Sequence, residues 1–146
     1  VWRRVVAGLV EERPGPGDFL KRTPDDLRAL GLSRAKAASI LDLAAHDVPY
    51  ARLPEMTDDE VIATLVPVRG IGLWTVQMLL IFSLDRPDVM PATDLGVRHG
   101  VRILDGMPEP PSPRDLLARS AVWAPYRSTA AGVLWRLRDG DSPFPA

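Results

Sequence analysis

The sequence contains no cysteine, which excludes disulfide bonds and metal sites built from thiolates. It has only two lysines, Lys21 and Lys36, so arginine supplies the rest of its 18 basic side chains. It also lacks a long apolar run: the longest, residues 73–84, contains Gln77 and Ser83 and is too short to cross a bilayer. We therefore expect neither a membrane span nor a site that depends on thiol chemistry.

Positive charge is not in excess either, because 18 basic side chains are balanced by 19 acidic ones and the net charge is −1. Neutralised phosphates supply much of the affinity of DNA-binding domains, so this balance argues against a strong non-specific binder of nucleic acid. It still allows a protein that binds a few phosphates through backbone amides and local arginines. No secretory signal pattern is visible, and a cytoplasmic location is the expected default.

The 146 residues suffice for one domain or for two small lobes that share a core. Apolar residues recur at helical spacing and no segment alternates as a strand does, which predicts an all-α fold. Hydroxyl N-caps mark helix starts at Thr23, Ser33, Thr57 and Ser112. The predicted helices cover residues 1–12, 34–45, 58–66, 73–84, 94–104 and 126–138, with shorter pieces at 18–21, from Pro24 to Gly31 and after Ser112.

A glycine turn, Val68-Arg69-Gly70-Ile71-Gly72, joins two of these helices. Glycine permits positive φ or a close approach of the backbone, and the helix after the turn begins with unpaired amides at the positive end of its dipole. Such a turn can hold one phosphate of a nucleic-acid backbone. A plain connector between helices, with a glycine cap, explains the same residues.

Asp94 follows Pro91-Ala92-Thr93 and precedes a helix with apolar periodicity. A carboxylate at a helix N-terminus has a lowered pKa and stays ionised at neutral pH. Asp94 is therefore a candidate catalytic carboxylate, although an ordinary helix N-cap has the same pattern.

The glycine turn and the aspartate belong to two motifs that occur in a fixed order. Gly-Ile-Gly-Leu-Trp-Thr begins at Gly70, and Pro-Ala-Thr-Asp-Leu-Gly-Val-Arg begins at Pro91. Together they resemble the helix-hairpin-helix DNA glycosylase superfamily, most closely its DNA-3-methyladenine glycosylase II branch, and the resemblance extends over nearly the whole chain. It implies two helical lobes, 1–86 and 87–146, with a cleft between them. Because this family carries helices before the position of Val1, we also expect N-terminal helices to be missing.

The resemblance assigns roles to individual residues and makes Asp94 the catalytic aspartate. The residues that it implies for a base pocket are Trp74, Met78 and Trp135, and those for DNA binding by the hairpin are Arg69, Gly70, Ile71, Gly72 and Thr75. Hairpin carbonyls at Val68 and Gly70 would hold a monovalent cation. Aromatic walls suit a cationic base through stacking and cation–π attraction. Core packing is the alternative for the two tryptophans and the methionine, since their helical spacing is also typical of a core.

The reaction that the resemblance implies is hydrolysis of the N-glycosidic bond of an alkylated purine, extruded from double-stranded DNA, in base excision repair. Bifunctional members of the superfamily carry a Schiff-base lysine where this chain has Trp74, so we expect a monofunctional monomer without lyase activity. The lack of cysteine excludes the iron–sulfur cluster of the endonuclease III relatives, and no cofactor is expected beyond the cation. The alternatives are a non-catalytic DNA-binding module, an inactive truncated glycosylase, or a helical protein-interaction domain.

Overall fold

The computed structural model describes residues 15–140, which form α-helices, short 3₁₀ helices and loops without any β-strand. The all-α prediction is therefore confirmed. The α-helices are α1 (Pro16–Leu20), α2 (Pro24–Ala29), α3 (Arg34–Ala45), α4 (Asp58–Leu65), α5 (Leu73–Phe82), α6 (Leu95–Leu104), α7 (Pro113–Arg119) and α8 (Arg127–Arg138), and 3₁₀ helices span Tyr50–Glu55 and Ser120–Trp123. None of the helices between residues 15 and 140 has the length and apolarity needed to cross a membrane. The helix predicted over residues 1–12 lies outside the described residues.

The helices begin where the capping residues predict. The hydroxyl of Thr57 accepts the Glu60 amide at 3.3 Å, and the Thr57 amide donates to the Glu60 carboxylate at 2.7 Å, so α4 starts with a capping box. Thr23 and Asp26 form the same arrangement at α2, and serine hydroxyls cap α3 and α7. These bonds pair amides that a helix start otherwise leaves without acceptors, which fixes the first residue of each helix.

Several helix boundaries differ from the prediction by one or two residues, and two of these differences have clear local causes. Helix α1 begins at Pro16 rather than at Asp18, because extended backbone at Gly15 forms the N-cap and proline is well suited to the first helical position. Helix α5 ends at Phe82 rather than at residue 84, and the backbone turns left-handed at Asp85 with φ 51°. The 3₁₀ helices were not predicted, because such short turns carry no apolar period to recognise.

The chain divides into two compact units, residues 1–72 and 73–146. One core cluster of the first unit comes from α1, α2, the following loop and α3. It consists of Phe19, Leu27, Ala37 and Ala44, with Leu30, Leu32, Ile40 and Leu41 packed around them. The lobe boundary expected at residue 86 stays a prediction.

In the second unit, α6 and α8 pack at close range. Gly100 makes this possible, since a methyl group at this position would lie 2.3 Å from the carbonyl oxygen of Leu134. The buried residues of this core are Met90, Ala92, Val97, Val101, Leu116, Ala131 and Leu134. The close packing brings Trp135 of α8 to the N-terminal end of α6, where Asp94 lies.

Candidate active site

Asp94 is the N-cap of α6, and both of its carboxylate oxygens accept hydrogen bonds. Oδ1 accepts the Val97 amide at 2.8 Å and the indole Nε1 of Trp135 at 2.9 Å. Oδ2 accepts the indole Nε1 of Trp74 at 2.7 Å. The carboxylate is thus held by its own helix and by one tryptophan from each of α5 and α8. Asp94 is therefore both a helix N-cap and a member of a polar site.

The electrostatics of the site favour the ionised form of Asp94. Burial opposes ionisation and raises the pKa of this carboxyl, but the hydrogen bonds together lower it further than burial raises it. The donors are the amides of Val97 and Gly96 and the indoles of Trp135 and Trp74. The net pKa of Asp94 lies below its ordinary value, so the group carries a negative charge at neutral pH. A fixed, half-buried carboxylate can stabilise positive charge that develops beside it.

The loop that leads to Asp94 is tied to the start of α8. Nε and Nη2 of Arg127 donate to the two carboxylate oxygens of Asp88 at 2.7 and 2.8 Å. The hydroxyl of Ser128 accepts the Val89 amide at 2.9 Å. The Arg127 guanidinium also lowers the pKa of Asp88, so the ion pair persists at neutral pH. Such supporting contacts hold the backbone that precedes the candidate catalytic residue.

The structure brings together three residues that the sequence analysis singled out: Asp94, Trp74 and Trp135. The side chain of Trp74 is 47% exposed, which is unlike a core residue, and that of Trp135 is half-buried against the core. Met78 is half-buried one turn further along α5. The grouping of the tryptophans with the carboxylate is observed, and their role as walls of a base pocket stays a prediction.

Phe82 belongs to the same aromatic group and was not predicted. Its ring stacks on Trp135 with a centroid distance of 5.7 Å and an interplanar angle of 26°, and the side chain is 65% exposed. Residues four apart lie on one face of a helix, so α5 presents Trp74, Met78 and Phe82 as a stripe. The spacing that linked the first two residues in the sequence continues to Phe82 and could have identified it.

The hairpin turn belongs to the first unit, where α3 supports it. Gly70 has left-handed backbone with φ 79°, and a methyl group there would lie 2.2 Å from the hydroxyl oxygen of Ser39. The Arg69 amide donates to the Asp42 carboxylate at 2.7 Å. The side chains of Arg69 and Thr75 are exposed. The Arg69 amide is therefore bound by a side chain of α3, while polar side chains on either side of the turn face solvent.

The remaining amides of the turn differ in their hydrogen bonds. The Ile71 amide donates to the Val68 carbonyl at 3.0 Å. The amides of Gly70 and Gly72 have no acceptor among residues 15–140. The Val68 carbonyl keeps a second lone pair, which is compatible with a monovalent cation shared with the Gly70 carbonyl. Among residues 15–140, no three His, Asp or Glu side chains are placed to hold a metal ion.

Comparison with known proteins gives a consistent result. Residues 1–125 match the family described as HhH-GPD superfamily base excision DNA repair protein. A DNA-3-methyladenine glycosylase of Schizosaccharomyces pombe is 39% identical over 84% of this chain. The match covers 56% of that relative, so this chain spans little more than half its length.

Solved structures with a similar fold agree with the sequence comparison. A 3-methyladenine DNA glycosylase of S. pombe in complex with abasic DNA matches with a TM-score of 0.78 and 35% identity, over 92% of this chain and 68% of that chain. A DNA-3-methyladenine glycosidase of Bacillus halodurans matches with a TM-score of 0.83 and 27% identity, over 94% of this chain and 65% of that chain.

Proposed function

Because this chain belongs to the HhH-GPD superfamily of base excision DNA repair proteins, we propose that it is a monofunctional glycosylase that excises alkylated purines of the 3-methyladenine type. The names of its relatives support this specificity. The observation that carries the proposal is the ionised Asp94 carboxylate held by two indole N–H groups. The substrate would be double-stranded DNA that contains an alkylated base, and the active form a monomer.

The proposed reaction begins after the damaged base has left the helix stack. Alkylation at N3 or N7 gives a purine positive charge, so the base leaves with the electrons of the N-glycosidic bond and becomes neutral. Positive charge then develops on the sugar, where the Asp94 carboxylate stabilises it. Water bonds to the anomeric carbon, and Asp94 orients this water and accepts its proton.

The aromatic groups near Asp94 are the proposed binding site for the base. A cationic base is attracted to the faces of Trp74 and Trp135 by about 0.5–2 kcal/mol for each contact. Met78 and Phe82 extend this surface along α5. An undamaged purine carries no positive charge and gains only stacking, so the aromatic group favours the alkylated base.

The proposed DNA contacts lie at the hairpin, where amides and exposed side chains would bind backbone phosphate. They are made by Arg69, Gly70, Ile71, Gly72 and Thr75, with a monovalent cation on the carbonyls of Val68 and Gly70 as the only proposed cofactor. A lyase step would need an amine nucleophile, and Trp74 occupies the place of the Schiff-base lysine. The product would therefore be an intact strand with an abasic site.

The test uses a duplex that carries a single N-methylated purine. Free base is measured by chromatography, and strand breaks are measured with and without alkali. The proposal predicts released base and strand breaks that appear only after alkali treatment. Breaks without alkali would contradict the monofunctional assignment. Binding of the duplex by folded protein without any release of base would instead indicate a non-catalytic module or an inactive fragment.

A further inference from the structure

Arg138, the last residue of α8, lies against Gly96 and close to the candidate catalytic carboxylate. A methyl group at Gly96 would lie 2.6 Å from Nη1 of Arg138 and 3.0 Å from Oδ1 of Asp94. The guanidinium and the carboxylate therefore both lie against Gly96, and they can approach each other this closely because residue 96 has no side chain. Neither Arg138 nor Gly96 is assigned a role by the sequence motifs.

The guanidinium of Arg138 is oriented but not saturated with hydrogen bonds. Its Nε donates to Oδ1 of Asp139 at 2.7 Å, and its Nη2 contacts the same carboxylate. Nη1, which lies against Gly96, has no hydrogen-bond partner within residues 15–140. The side chain is 45% exposed, so a ligand can reach the guanidinium from solvent.

The charge of Arg138 decides which part of a nucleotide it can accept. A bare guanidinium next to Asp94 would oppose both a cationic base and positive charge that develops on the sugar. A phosphate that flanks the sugar is negatively charged, so the Asp94 carboxylate repels it. Contact between the guanidinium and the phosphate neutralises both groups, and arginine is well shaped for such a contact.

We propose that Arg138 binds a phosphate next to the extruded nucleotide, and that the absence of a side chain at Gly96 lets the guanidinium lie close enough to Asp94 for this contact. This inference rests on the proposed function, since it assumes that the sugar of the damaged nucleotide lies at Asp94. It adds a DNA contact in the second unit that is separate from those proposed for the hairpin.

The experiment compares Arg138→Gln with Arg136→Gln, which makes the same change of charge two residues earlier on α8, at an exposed position. Affinity for a duplex with a tetrahydrofuran abasic analogue is measured at increasing KCl concentration. We expect Arg138→Gln to bind about tenfold more weakly than the parent and to reduce the slope of log K against log salt by about one. Arg136→Gln should stay close to the parent.

A second variant and a separate assay keep this test distinct from that of the proposed function. Arg138→Lys retains the charge and should retain the salt slope, with an intermediate affinity. Equal effects of Arg138→Gln and Arg136→Gln, in proteins with the same Tm, would overturn the inference. The binding comparison needs no catalysis, so a parent that releases no base would contradict the proposed function while the Arg138 comparison still holds as a test.

Discussion

Trp74 and Trp135 each donate an indole N–H to the carboxylate of Asp94. Both bonds stabilise the ionised form, and together with the backbone amides they outweigh burial, which raises the pKa. The two tryptophans therefore contribute to the site through their N–H groups as well as through their aromatic faces. Phenylalanine would keep the ring and remove the donor, so it separates these two contributions.

Trp135→Phe is predicted to raise the pKa of Asp94, because the ionised carboxylate loses one hydrogen bond. The acid limb of the pH–rate profile for base release should move to higher pH, and carboxyl-carbon NMR should show the same shift. Trp123→Phe is the matched control, since Trp123 lies under the Arg119 guanidinium rather than on Asp94. An unchanged Asp94 titration in Trp135→Phe would show that this hydrogen bond does not hold the carboxylate.

Asp94 also makes the stability of the fold depend on pH. The folded-state pKa of Asp94 is lowered, so its contribution is fully present above the ordinary pKa of the group and is lost as pH falls through the folded value. In Trp135→Phe, the pKa of Asp94 in the folded state should lie closer to its unfolded value. The pH range over which Asp94 changes stability should therefore be narrower than in the parent. Urea unfolding of the two proteins across the acid range measures the effect: their difference in unfolding free energy should shrink as the carboxyl becomes protonated.

At the scale of elements, the hairpin depends on α3. Ser39 and Asp42 lie three residues apart on this helix, and they contact Gly70 and the Arg69 amide. The contact with Ser39 leaves no room for a side chain at residue 70. The hairpin therefore has a packing requirement in addition to its left-handed backbone.

Gly70→Ala should destabilise the first unit by about 1–2 kcal/mol through left-handed strain, plus the cost of displacing Ser39. Gly72→Ala is the control, since a methyl group there meets nothing within 4 Å and its φ is not positive. It should change the unfolding free energy by no more than about 0.5 kcal/mol. Urea unfolding and duplex binding measure both variants, and equal losses would contradict this account of the turn.

The elements were predictable to the extent that their determinants are local. Capping at Thr57 and apolar spacing identify α4 from a few neighbouring residues. The support of Arg69 by Asp42 was not predictable, because it joins residues 27 positions apart. The contact of Arg138 with Gly96 was not predictable for the same reason, since only the packing of α8 on α6 brings Arg138 close to Asp94. Phe82 was within reach of pattern reasoning, because it continues the spacing of Trp74.

At the scale of the whole molecule, the net charge of −1 limits how DNA can be bound. The proposed contacts are few: the amides of the hairpin, its neighbouring side chains and Arg138. A protein that neutralises few phosphates releases few counterions. Under the proposed function, counterion release would then supply only a small part of the affinity for DNA.

Binding of an abasic duplex should accordingly depend only weakly on salt, with a slope of log K against log salt of about −2 to −4. Fluorescence anisotropy between about 50 and 200 mM KCl covers the range in which a strongly basic domain loses most of its affinity. A slope near −8 would mean that many phosphates are neutralised and would contradict this account.

The most direct test of the central claim is base release from N-methylpurine DNA by the parent chain and by Asp94→Asn. Asparagine is nearly the same size but carries no charge, so it removes the electrostatic stabilisation and leaves the fold in place. Release should fall by about a hundredfold or more without loss of duplex binding, while Asp47→Asn, at an exposed position, should match the parent. Equal release by Asp94→Asn and the parent, or no release by folded parent protein, would contradict the assignment of Asp94 as the catalytic carboxylate.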